Sequence, residues 1–218
     1  MLDILFVTDY VCPYCIVAKT ALKKAIQELE IDAMIMTQPY ELTPMNRDRV
    51  DTYSDPVRRE HYKVLDEPVK ELGLDVHIPP CVIPRPYTHY AFEGYFFAMN
   101  YGKEEEYSDL VYEAYFTKQQ DIGDIEVLTK IIQELDLDVV KFKAVMSDHR
   151  YSSNVDSQVK YSKETLQVNS VPRIYINHQE VNVEAYSVEA FKKILLDPQY
   201  QSENVMGACG EDGCAIHF

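Results

Sequence analysis

Two cysteines separated by two residues, Cys12-Pro13-Tyr14-Cys15, are the side chains here whose type and spacing point most directly to chemistry. Disulfide exchange needs one thiolate that attacks and a second thiol near enough to resolve the mixed disulfide. A Cys-x-x-Cys segment at the start of a helix supplies both. The first cysteine then lies where unpaired backbone N–H groups and the helix dipole favour negative charge. Pro13 suits the first helical turn, where its missing N–H costs nothing, and Cys15 follows one turn on. The same pair is compatible with half a zinc site or with two inert buried cysteines. Zinc needs two more ligands at matching spacing. Cys209 and Cys214 are the candidates, but four residues intervene between them, more than in the commonest zinc knuckle.

Redox work by such a pair needs a strand before it and a helix after it, and both are readable. Asp3 to Thr8 runs apolar as a buried strand, Ile16 to Glu30 places Ala18, Leu22, Ala25, Ile26 and Leu29 at a helical period, and Asp32 to Tyr40 reads as a second strand. Asn46 to about Glu71 is charged and predicted helical. A proline-rich break covers Ile78 to Pro86. Further helices are predicted at Tyr87 to Tyr101, Ser108 to Lys118, Ile125 to Leu135 (opened by Gly123-Asp124) and Val139 to Ser147. Strand character returns at Val171 to Ile176. Asn177-His178 then reads as a hairpin turn, with Glu180 to Val183 as the partner strand. Ser187 is the predicted N-cap of a last helix carrying Phe191, Ile194 and Leu195. The order is βαβ, a block of helices, then ββα. It predicts an α/β domain in two segments, 1–45 and 150–198, a helical insertion at 46–149, and a cysteine-containing tail at 199–218.

Composition narrows the function classes. With 36 acidic and 21 basic residues the net charge is −15, which repels phosphate backbones and argues against nucleic acid as a partner. No run of eighteen apolar residues predicts a membrane span. The first residues lack a basic leader and a small-residue cleavage site. The five cysteines, Cys12, Cys15, Cys81, Cys209 and Cys214, are an odd number, unlike a disulfide-stapled scaffold. A cytoplasmic chain is therefore expected. Cys81 reads as a small buried hydrophobe. His61, His77, His89 and His149 show no metal-ligand spacing, and no metal is predicted at them. Tyr87, Tyr90, Phe92, Tyr95, Phe96 and Phe97 read as the packing face of an insertion helix.

Taken together, Phe6 to Cys15, Tyr115-Phe116 with Asp121-Ile122, Val171-Pro172 and the tail Cys209-Gly210-Glu211-Asp212-Gly213-Cys214 resemble the DsbA family, and within it the cytosolic FrnE-like branch. The resemblance spans nearly the whole chain. It implies a thioredoxin-like fold interrupted by a helical domain, and thiol–disulfide oxidoreductase activity on protein or small-molecule disulfides. It implies Cys12 as nucleophile, Cys15 as resolving cysteine and Pro172 as a cis-proline beside them. Pro13, Tyr14, Val171 and Pro172 would then contact the substrate. No cofactor is implied beyond a cellular reductant, and glutathione is a candidate redox partner, because the Pro-Tyr dipeptide is the one found in glutaredoxins. The tail pair Cys209/Cys214 reads as an auxiliary redox pair, as a structural disulfide, or as a metal site with His217. Two other function classes compete. One is glutathione-dependent transfer or isomerisation on a small molecule. The other is a non-enzymatic holdase or adaptor that grips chains through the aromatic insertion. Oligomeric state and direction of electron flow are not readable from the sequence.

Overall fold

The computed structural model describes residues 1–201. Strand β1 (Leu2–Thr8) lies at the centre of a four-stranded sheet of order β2-β1-β3-β4. It pairs in parallel with β2 (Ala33–Pro39) through the crossover helix α1 (Pro13–Glu28), and antiparallel with β3 (Arg173–Ile176). Ile4 thus sits between Ile35 and Ile176, and Phe6 between Thr37 and Ile174. Successive side chains alternate across a strand, so β1 feeds two cores. Leu2, Ile4 and Phe6 join the main one, while Val7 packs with Val168 and Tyr175 on the opposite face. Helix α1 opens at Pro13 and runs without glycine. Val17, Ala18, Ala21, Leu22 and Ala25 are wholly buried along it, a face wide enough to meet both the sheet and a neighbouring helix.

Between β2 and β3 the chain forms α2 (Pro56–Tyr62), a single 3-10 turn, α3 (Asp66–Glu71), α4 (His89–Met99), α5 (Glu104–Tyr112), α6 (Ile125–Glu134), α7 (Val139–Ser147) and α8 (Ser152–Lys160). Helices α4 to α7 pack on one another, and α5 and α8 also rest against β2. The chain then returns as β3, β4 (Gln179–Glu180), α9 (Val188–Leu196), which packs on α1, and α10 (Pro198–Gln201). The fold is the expected thioredoxin-like α/β arrangement carrying a helical block. Asp124 and Ser187 cap α6 and α9 through their side chains, accepting from the Glu126 and Ala190 N–H groups. Asn177 and His178 both take positive φ, 47° and 66°, as a two-residue hairpin turn requires.

Several expectations need correction. Residues 46–55 are not helical: Ser54 N–H bonds the Asp51 carboxylate, and Asp55 caps a helix that begins only at Pro56. Helix α8 was not anticipated. Its buried face is Val155 and Val159, too sparse in apolar residues to show a period. Strand β4 ends at Glu180 rather than Val183. After Val181 N–H bonds Ile174 O, β3 has one residue left, and the preceding Pro172 has no N–H to offer. Cys81 is exposed, not buried. It follows Pro79-Pro80 in an irregular segment whose backbone is held outward by the bond from Cys81 N–H to Gln119 Oε1.

Candidate active site

Cys12 is the N-cap of α1 and Pro13 occupies the first helical turn. The chain reaches Cys12 through a tight turn closed by its N–H on Asp9 O (2.9 Å), and Cys15 N–H returns to Cys12 O (3.0 Å). Both cysteines are free thiols. Cys12 keeps 4% of its surface open and Cys15 none, so an incoming sulfur meets Cys12 first. The segment entering β3, the strand beside β1, approaches the pair: the Cys12 thiol points at Val171 O, 3.5 Å away. The Val171–Pro172 peptide bond is cis.

The rim is aromatic. Tyr14 stands between Tyr62 of α2 and Tyr186 of the loop before α9, with ring centroids 6.1 and 6.2 Å away. Burial, and the two sulfurs it faces, push the Tyr186 hydroxyl up to about 12. Burial, with the neighbouring Cys12, lifts the Cys15 thiol well above its ordinary range.

A polar layer lies beneath. The Thr8 hydroxyl meets the Tyr112 hydroxyl at 2.5 Å, and the Tyr10 hydroxyl meets that of Ser108 at 2.9 Å. Asp9 has no exposed surface. Its carboxylate accepts from Leu42 N–H (2.7 Å) and more weakly from Val11 N–H (3.5 Å), and burial drives its pKa up to about 6 against the pull of Arg85. Next to Leu42, Glu41 accepts from His89 Nδ1 (2.8 Å). The far side of His89 faces Ser152 (2.9 Å) and the buried Glu93, which His149 approaches at 3.5 Å.

Of the residues singled out from sequence, Cys12, Pro13, Tyr14, Cys15, Val171 and Pro172 come together here. Cys209 and Cys214 lie outside the described residues. Among the described residues no cluster of His, Cys, Asp and Glu is arranged to hold a metal ion, and no helix is long and apolar enough to cross a membrane. The aromatic run is the packing face only in part: Phe92, Tyr95 and Phe97 are in the core, whereas Tyr90 and Phe96 are half-buried and Tyr87 precedes the helix. Thr8, Asp9, Tyr62, Tyr112 and Tyr186 had been given no role. Thr8 and Asp9 adjoin the cysteine segment, but their partners Tyr112 and Leu42 lie far along the chain. The three tyrosines come from distant elements and carry no local signal. A separate cleft of about 630 Å³ opens between α1, β2 and α5, lined by Ile16, Lys19, Lys23, Asp109 and Tyr112 among others, but by neither cysteine.

Comparison with known proteins places the chain in a family and agrees with its fold. The family described as DSBA-like thioredoxin domain matches residues 3–196. The Bacillus subtilis (strain 168) protein YwbO, itself uncharacterised, is 35% identical over 193 residues, 88% of this chain and 94% of that one. Among solved structures, a probable DsbA oxidoreductase from Streptomyces coelicolor superposes with a TM-score of 0.75 at 21% identity, covering 100% of both chains. The cytosolic disulfide reductase DsbM from Pseudomonas aeruginosa, in a structure with GSH, superposes with a TM-score of 0.65 at 12% identity, covering 88% of this chain and 96% of that one.

Proposed function

Because the chain belongs to the family of DSBA-like thioredoxin domains and is a disulfide oxidoreductase of that family, we propose that Cys12-Pro13-Tyr14-Cys15 is its redox centre. The observation that carries this is the disposition of the two sulfurs. Cys12 caps a helix with its thiol turned to the β3 entry, and Cys15 waits one turn behind, wholly buried. In the reducing direction Cys12 attacks a substrate disulfide and one substrate sulfur leaves. Cys15 then attacks Cys12, forming the intramolecular disulfide and releasing the second sulfur. The oxidising direction is the reverse. Substrate lies against Tyr14, Pro13, Val171 and Pro172, where the Val171 carbonyl bounds the sulfur. Protein or small-molecule disulfides and thiols are the substrates of this reading, a cellular reductant restores the dithiol, and the cytoplasm is the compartment in which it works. Glutathione is a fitting partner on the grounds of the Pro-Tyr dipeptide, and DsbM offers a precedent in its structure with GSH.

The test is equilibration in glutathione buffers of defined potential, followed by alkylation and peptide mass mapping. Cys12 and Cys15 are expected to switch together at one midpoint. Cys12→Ser should abolish turnover, and Cys15→Ser should trap a mixed disulfide on Cys12. A pair that never closes in any buffer would remove the proposal.

A further inference from the structure

Glu93 lies on α4 with no exposed surface, and among the described residues neither of its carboxylate oxygens has a hydrogen-bond partner. A buried carboxylate is costly unless an opposite charge meets it. Two imidazoles are placed to do so: His149 Nδ1 stands 3.5 Å and His89 Nε2 4.0 Å from Glu93 Oε1. We propose that Glu93, His89 and His149 form a proton-operated clamp between α4 and the α7–α8 turn, closed while the imidazoles carry charge and loosened when they lose it. The inference is independent of the redox reading above.

Both rings are held in place. Glu41 is 7% exposed and fixes His89 through Nδ1 at 2.8 Å, and Ser152, the first residue of α8, meets Nε2 at 2.9 Å. His149 lies in the turn between α7 and α8 at a φ of 48°, a left-handed conformation that residues with a Cβ seldom adopt. Its ring stacks on Tyr90 with centroids 5.7 Å apart, so one side chain serves both the turn and the clamp. The negative charges facing the two rings are Glu41, Glu93 and, from α8, the exposed Asp156. From the neighbouring helices, Tyr107 of α5 is engaged with Ala91 O at 3.0 Å, Lys143 of α7 with Glu126 of α6 at 2.8 Å, and Arg150 with Asp148 at 3.2 Å. None of these pairs includes Glu93. Burial pulls the His89 pKa down, but the hydrogen bond and charge of Glu41, with Glu93 and Asp156, raise it on balance above its ordinary 6.5. The clamp is therefore fully closed below that value, and its contribution is lost as pH rises through the folded-state pKa. Glu41 directly precedes Leu42, whose N–H holds Asp9. The clamp thus ties the helical block to the loop that supports the cysteine segment.

The experiment is amide hydrogen exchange with mass analysis from pH 5 to 9, corrected for intrinsic exchange, in the wild-type protein, Glu93→Gln and His149→Asn. The reporting amides are those of Arg150, Ser152 and Val155, which close the turn on the Val145, His149 and Tyr151 carbonyls. A pKa difference of about one unit between closed and open clamp changes the opening equilibrium about tenfold, so protection of the turn in the wild type should fall by about that factor across the range. Glu93→Gln should flatten the fall, although Asp9 still titrates in it. His149→Asn keeps a residue that tolerates the left-handed turn. It should exchange faster than the wild type at pH 5 and equal it at pH 9. Turn protection in the wild type that does not change with pH overturns the proposal, as does a fall of the same size in Glu93→Gln. Should Glu93→Gln fail to fold, the ring-proton NMR titration of His89 in the wild type decides: a midpoint above 6.5 is expected, and one at or below it overturns the clamp.

Discussion

Asp9 lies three residues ahead of Cys12, and its carboxyl group is held in the interior by the Leu42 and Val11 N–H groups. Burial raises its pKa from an ordinary 3.8 to about 6. The folded chain therefore binds this proton more tightly than the unfolded chain. The stabilisation is complete below about pH 4 and is lost as pH rises through 6, amounting to about 3 kcal/mol across that window. Asp9→Asn keeps an acceptor and removes the titration. It should be more stable than the parent at pH 7 to 8, with the advantage fading toward pH 4. Urea midpoints measured across that range check this, and parallel profiles for the two proteins would refute it. The place of Cys12 and Cys15 at the head of a helix was legible in their type and spacing, and that of Pro172 beside them in the family resemblance. Asp9 and Thr8 stood in plain view beside them and yet were silent. Their contacts are with Leu42, Arg85 and Tyr112, and nothing local announces such partners.

At the scale of elements, legibility followed the strength of the local pattern. Helix α6, with its Asp124 cap, was readable nearly to the residue, as was α9 with Ser187. Helix α8 was not, because its stability comes from packing on α4 and β2 rather than from its own sequence. Its end is fastened to the sheet by Gln38, whose side-chain amide donates to Gln158 O and to the Ser162 hydroxyl. The crossing of α4 and α5 has a tighter requirement. A Cβ placed on Gly94 would fall inside the Tyr107 hydroxyl and ring, and that hydroxyl is itself engaged with Ala91 O at 3.0 Å. Gly94→Ala should therefore push the helices apart and destabilise by roughly 1–3 kcal/mol, although alanine is intrinsically the better helix former. Urea denaturation reads the sign directly. A variant as stable as the parent would mean that Tyr107 swings away at no cost.

The whole molecule is joined across its two parts by charge as well as by apolar packing. Lys19 of α1 is almost wholly buried and meets Asp109 of α5 at 2.8 Å, and Lys23 reaches Glu105 at 2.8 Å and Asp109 at 2.5 Å. Removing one member of such a pair strands the other in the interior. Asp109→Ala should cost about 3 kcal/mol, whereas Lys19→Met, which replaces the buried cation with an apolar chain of similar length, should cost much less. Comparing the two in thermal and urea melts tests whether the stranded charge or the lost contact governs. This joint matters because the sheet is assembled from the two ends of the chain: Leu5 pairs with Tyr175 across the entire helical block. A ribosome releases Cys12 and Cys15 early and the Val171 carbonyl that bounds Cys12 late. Throughout that interval the nascent chain carries two thiols without the segment that bounds them, and domain-by-domain synthesis cannot shorten it. Vectorial synthesis thus delivers this centre as a pair of open thiols, and only the emergence of Val171 closes it.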